Sequence, residues 1–153
     1  MPNWCQNELQ VFGPREDLQR FKAAAVGCNS WPTGDPCDKE QPSVLSFHTL
    51  DPIPAEVLAS DYDQVGHPWE VEHWGCRWGS GDAVLVDATD DWLHYHFDTP
   101  WSQPVPFLIR LGPRWPSLTF VLAYEELGNG FKGLCKVHNT EIQDHCLSLF
   151  TTP

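Results

Sequence analysis

Period-two alternation in four segments, helical spacing in two others and a hairpin-length gap at the centre predict an α+β domain of two strand–helix units around a β-hairpin. The first strand covers 8–12, with Leu9 and Val11 on one side and Glu8, Gln10 and Phe12 on the other, until Gly13-Pro14 stops it. Pro14 suits a first helical turn. Behind acidic Glu16 and Asp17, the residues Leu18, Phe21, Ala24 and Ala25 recur at helical spacing, so a helix is expected over 14–25.

Residues 26–68 hold most of the turn formers, including 32–36 (PTGDP) and 51–54 (DPIP), and are read as a long irregular insertion with one short helix near 55–59. Its apolar residues, Trp31, Val44, Leu45, Phe47, Leu50, Ile53, Val57 and Leu58, point to a cover packed on the core rather than a disordered linker. An aromatic, charged segment at 69–78 follows, where Gly75 suggests a bend. Strands are then expected at 82–87 and 91–99, joined by a three-residue gap. In the second of these, Leu93, Tyr95 and Phe97 face one way and Trp92, His94, His96 and Asp98 the other. Val105, Leu108, Ile109 and Leu111 support a helix ending near Gly112-Pro113. Strands at 117–125 and 131–137 come next, the second a β extension. Asn139 or Thr140 is read as the cap of a short terminal helix within a tail at 138–153. The order is that of a ferredoxin-like split βαβ sandwich in one domain over 1–153, with both helices on one sheet face and the other face unassigned.

Composition narrows the classes of function. At 153 residues and 41% apolar content the chain can form a real core. Its 21 acidic against 9 basic residues give a net charge of −12. That balance counts against a nucleic-acid backbone as partner, since such affinity comes from Lys and Arg displacing counterions; it is read first as solubility, and functionally as fitting a basic protein or as mimicry of nucleic acid. No apolar run approaches the roughly 20 residues of a membrane helix, and the first residues lack a signal-peptide pattern, so a cytoplasmic protein is expected. The six cysteines, without a C-x-x-C pair, are read as free thiols; only Cys28 and Cys37 are near neighbours.

Four groups of residues together resemble the YubB-like family. They are the opening Met1-Pro2-Asn3-Trp4-Cys5 with Asn7, Leu9, Val11 and Gly13; Trp74-Gly75-Cys76-Arg77-Trp78; Phe97-Asp98-Thr99-Pro100-Trp101 with Pro104; and Tyr124-Glu125 with Gly128, Gly130, Phe131 and Gly133. The resemblance covers most of the chain outside 26–43 and the segment after His138. It implies a ferredoxin-like fold, a native amino terminus and a place among proteins of phages, plasmids and bacteria whose biochemical role is unassigned, and it brings no catalytic residues; an accessory role in mobile elements is a further step from it.

Among candidate sites the outward row of the central strands stands first. His94 and His96 project from the same side of one strand, where Glu8, Gln10 and Phe12 would neighbour them. Two imidazoles and a carboxylate could hold a metal, with Glu8, His73 and Asp98 as the conjectured third ligand. Most of the eight tryptophans are read as anchors, and Trp74, Trp78 and Trp92, with Phe12, as candidates for a recognition surface. The 128–133 run (GNGFKG) suggests a glycine-supported turn rather than a phosphate cradle. Pairs such as Glu70/Glu72 and Asp90/Asp91 are read as solvated ends and turns. No nucleophile with a base is identifiable and no cofactor is implied. The sequence therefore favours a small acidic, non-enzymatic protein-interaction module, with a metal- or small-ligand-binding enzyme at His94/His96 as the alternative.

Overall fold

The computed structural model describes residues 2–28 and 42–150. Its elements are β1 (Trp4–Phe12), α1 (Arg15–Ala24), α2 (Phe47–Leu50), α3 (Ala55–Leu58), a π-helical turn (Tyr62–Gly66), α4 (His67–Trp74), β2 (Gly81–Ala88), β3 (Trp92–Pro100), α5 (Val105–Arg114), β4 (Thr119–Glu126), β5 (Phe131–His138) and β6 (Glu141–Ser148). The sheet runs β2-β3-β1-β4-β5-β6, and every pairing is antiparallel. The first four strands have the ferredoxin-like order, and β5 and β6 extend it beyond β4. Among the described residues no helix is long and apolar enough to cross a membrane.

Alternation decides which side chains meet the helices. Leu9 and Val11 of β1, Leu93, Tyr95 and Phe97 of β3, and Phe120, Leu122 and Tyr124 of β4 are all buried on the inner face. They pack against Leu18 and Phe21 of α1 and Phe107, Leu108 and Leu111 of α5. Phe21 meets Tyr95, Trp115 and Phe120 edge-on at ring separations of 6.4, 5.2 and 5.4 Å. The described part of the insertion joins the same core. Phe47 stacks on Phe107 at 3.8 Å and meets Trp74 and Phe97 edge-on. Asp51, almost fully buried, fastens α2 to α5 by a bond from Arg110 Nε at 2.6 Å and a contact from Arg114 at 2.9 Å.

The structure departs from the sequence reading in four places. The described part of the insertion is not largely irregular: it carries two short helices, a π-helical turn and the start of α4. The 69–78 segment contributes most of α4, which Pro68 opens and Gly75 ends in a left-handed conformation (φ 83°), accepted most readily by glycine. A Cβ at Gly75 would also meet Pro106 at 2.5 Å. The helix of the second unit, by contrast, ends where it is expected, at Arg114 beside Gly112-Pro113. The expected terminal helix is the strand β6: Asn139, with φ 52°, turns the chain back within two residues and β5 supplies the hydrogen-bonding partner. Finally, Cys28 is disulfide-bonded rather than a free thiol, while Cys5, Cys76, Cys135 and Cys146 are free. Trp31 and Cys37 lie outside the described residues.

Candidate functional site

The outward residues of β1 and β3 fall directly opposite one another: Phe12 faces Trp92, Gln10 faces His94 and Glu8 faces His96. Antiparallel neighbours on one face are close enough for rings and long side chains to touch. Phe12 and Trp92 stack at 6.2 Å and 17°, and Trp92 stacks on His94 at 5.6 Å and 23°. Glu8 then joins the two imidazoles, with Oε2 bonded to His94 Nε2 and Oε1 to His96 Nδ1 at 2.7 Å. His96 Nε2 lies 3.9 Å from Asp98 Oδ1. A continuous ladder of two aromatic rings, two imidazoles and two carboxylates results.

Charge within the ladder is unevenly supported. Burial tends to raise the Glu8 carboxyl, yet hydrogen bonds from His96 and His94 outweigh it and hold the group below its ordinary value. Asp98 is shifted the other way, by burial above all; His96 partly offsets this and neighbouring Asp82 adds to it. The buried oxygen of Asp98 has no hydrogen bond. The ladder thus has a satisfied carboxylate at its centre and an under-compensated one at the end away from the aromatic rings.

The described part of the insertion packs among the helices, on the opposite side of the sheet, so among the described residues the ladder is left open. Beside it lies a groove of about 210 Å³ lined by Gln6, Glu8, His96, Ala123, Glu125 and Lys132, among others. Among the described residues no three His, Cys, Asp or Glu groups are arranged to hold a metal ion. His73, a conjectured third ligand, is engaged with Trp69 on α4, its Nδ1 2.8 Å from the Trp69 carbonyl.

Of the sequence candidates, Phe12, Trp92, His94 and His96 come together. Trp74 does not join them: it is fully buried against Phe47 and Trp69, as a core anchor. Trp78 is half-exposed in the loop between α4 and β2, beside Trp101. Glu70 corrects the reading of a solvated acid. It is wholly buried on α4 and accepts hydrogen bonds from Tyr62 Oη at 2.6 Å and from the Trp78 amide at 2.8 Å. Burial pushes its carboxyl up, with Tyr62, Trp78 and Arg77 pulling against that shift. Burial and then the Glu70 bond push Tyr62 up to about 12. No sequence pattern marked this acid, since a lone Glu in an amphipathic helix ordinarily faces water. Of the 128–133 run, 128–130 lie in the β4–β5 turn and 131–133 open β5; buried Glu126 caps Asn129 by accepting from its backbone N–H and its side-chain amide.

Against known proteins, the family model for the ferredoxin-like domain in Api92-like protein matches residues 73–149. The crystal structure of the protein Api92 from Yersinia pseudotuberculosis is similar over 100% of both chains, with a TM-score of 0.66 at 11% identity, a likeness of fold alone. None of the curated proteins matches the chain.

Proposed function

The chain belongs to the family of the ferredoxin-like domain in Api92-like protein, and from the outer face of that fold we propose that it is a non-enzymatic interaction module for a basic protein. The observation that carries this reading is the open ladder of Phe12, Trp92, His94, Glu8 and His96 on the two central strands. Its aromatic end offers apolar and cation–π contacts to Lys or Arg side chains, and its carboxylates offer charge-assisted hydrogen bonds. The net charge of −12 adds long-range attraction for a basic partner. The neighbouring groove is smaller than the roughly 300 Å³ at which small-molecule sites begin and suits a single partner side chain. The order of the motifs that resemble the YubB-like family supports an accessory role in mobile elements.

A direct test is titration with a lysine- and arginine-rich peptide, followed by amide and imidazole chemical shifts. Shifts centred on β1 and β3, with binding at least tenfold weaker in Trp92→Ala and in Glu8→Lys, are expected. Equal binding by these variants and the wild type would overturn the reading.

One second reading is kept for the junction of Glu8 with two imidazoles, a metal or small-ligand site at His94 and His96, though among the described residues no three such groups are arranged to hold a metal ion. Native mass spectra of zinc-treated protein separate the two. A saturable zinc adduct lost in the His94→Ala/His96→Ala double variant supports the metal site; its absence leaves the interaction surface.

A further inference from the structure

A second constellation lies at the edge where α4 runs into β2, and it involves none of the ladder residues. The Arg77 guanidinium carbon sits 4.8 Å from the Trp78 ring centre, 5.5 Å from that of Tyr62 and 5.7 Å from that of Trp101. Three aromatic faces around one cation form a cage. Both indoles remain open to solvent, Trp78 at 37% and Trp101 at 40%. Both also hold left-handed backbone, φ 68° and 63°, a conformation that bulky residues adopt at a steric cost and keep only where the surroundings impose it.

Those surroundings are explicit. Glu70 ties Tyr62 to the Trp78 amide from behind, and Arg77 Nε reaches Tyr62 Oη at 3.4 Å. The Trp101 amide donates to the Asn3 carbonyl at 2.7 Å, and Ser102 Oγ donates to the Gly75 carbonyl at 2.5 Å, which binds the two tryptophan loops together. Aromatic walls backed by a buried carboxylate are the electrostatic complement of a cation. The guanidinium now inside belongs to the chain itself and stands on an exposed rim.

We propose that Tyr62, Trp78 and Trp101, with Glu70 behind them, form a guanidinium-recognition cage that Arg77 fills in the free chain and yields to an arginine of a basic partner. Exchange of one guanidinium for another keeps Glu70 compensated throughout. Arg77 acts as an internal competitor, so the apparent affinity for an outside arginine is the intrinsic affinity multiplied by the fraction of time Arg77 is away.

The site is separate from the sheet-face ladder, and a small cation tests it whether or not that ladder binds a partner. Methylguanidinium is titrated at constant ionic strength with tryptophan fluorescence as the readout. Arg77→Ala should saturate, the wild type should bind at least tenfold more weakly, and Arg77→Ala/Trp101→Ala should lose the response. Tetramethylammonium, equal in charge but without the planar fork, should bind Arg77→Ala more weakly than methylguanidinium. A folded Arg77→Ala that shows no saturation overturns the proposal. So does equal saturation in the double variant, or preference for tetramethylammonium. If Arg77→Ala does not fold, Arg77→Gln takes its place. Should that also fail, restoration of folding by methylguanidinium supports the cage and lack of restoration refutes it.

Discussion

The two faces of β1 and β3 are made by alternate residues of the same strands, yet they solve opposite problems. Inward, Leu9, Val11, Tyr95 and Phe97 lose all contact with water and interlock with rings from α1, α5 and the insertion. Outward, Glu8, His94 and His96 stay partly wet and are arranged by hydrogen bonds and stacking in a single layer. The difference teaches that order on the outer face is not a by-product of burial. The inner face holds the fold, whereas the outer one spends its residues on a specific polar geometry.

Substitutions on the two faces should therefore separate stability from binding. The largest effect is expected from Phe47→Ala, which empties the space between Phe107, Trp74 and Phe97 and should cost about 4 kcal/mol in denaturant unfolding. Next comes Arg110→Ala with Arg114→Ala. It leaves Asp51 buried without compensation, at about 3 kcal/mol by the same measurement. Glu8→Gln breaks the ladder at its centre but should change stability by less than about 1 kcal/mol at neutral pH, since Glu8 is 46% exposed.

Its signature lies in the pH dependence. The folded Glu8 carboxyl titrates below its ordinary value of 4.5, so its contribution is present above that value and is lost as pH falls through the folded pKa. Melting curves between pH 6 and pH 3, set about that value, should show a shallower acid decline for Glu8→Gln than for the wild type. Asp98 carries the opposite sign. Its raised carboxyl is penalised while ionised, so Asp98→Asn should stabilise the protein at neutral pH, by on the order of 0.5 kcal/mol. A loss of stability in that variant would mean that His96 needs the Asp98 charge more than burial opposes it.

The sequence exposed what alternation or helical spacing could expose. The strands that became β2, β3, β4 and β5, the core part of β1 and the outward row of Phe12, Trp92, His94 and His96 were all legible, because one buried face imposes a period of two. β6 was misread for the converse reason. All its residues are exposed, no face is selected, and the partner β5 rather than any local pattern makes it a strand. α4 was obscured by Trp69, Glu70 and Trp74, which mix aromatic and acidic residues on the buried side of one short helix. The cage was out of reach altogether. Tyr62, Arg77 and Trp101 meet only because the β3–α5 loop folds back beside the end of α4, and the contact depends on two left-handed tryptophans that no propensity would place there.

The two outer strands of the sheet also differ in how regularly they are paired. β2 slips register twice against β3, between Gly81 and Val84 and again between Leu85 and Asp87, whereas β6 follows β5 without interruption from Phe131 opposite Ser148 to His138 opposite Glu141. An irregular margin is poor at templating another strand, and a regular one is good at it. Among the described residues the backbone spacing at β6 is thus the one that a further strand would match, and the bulged spacing at β2 the one that it would not.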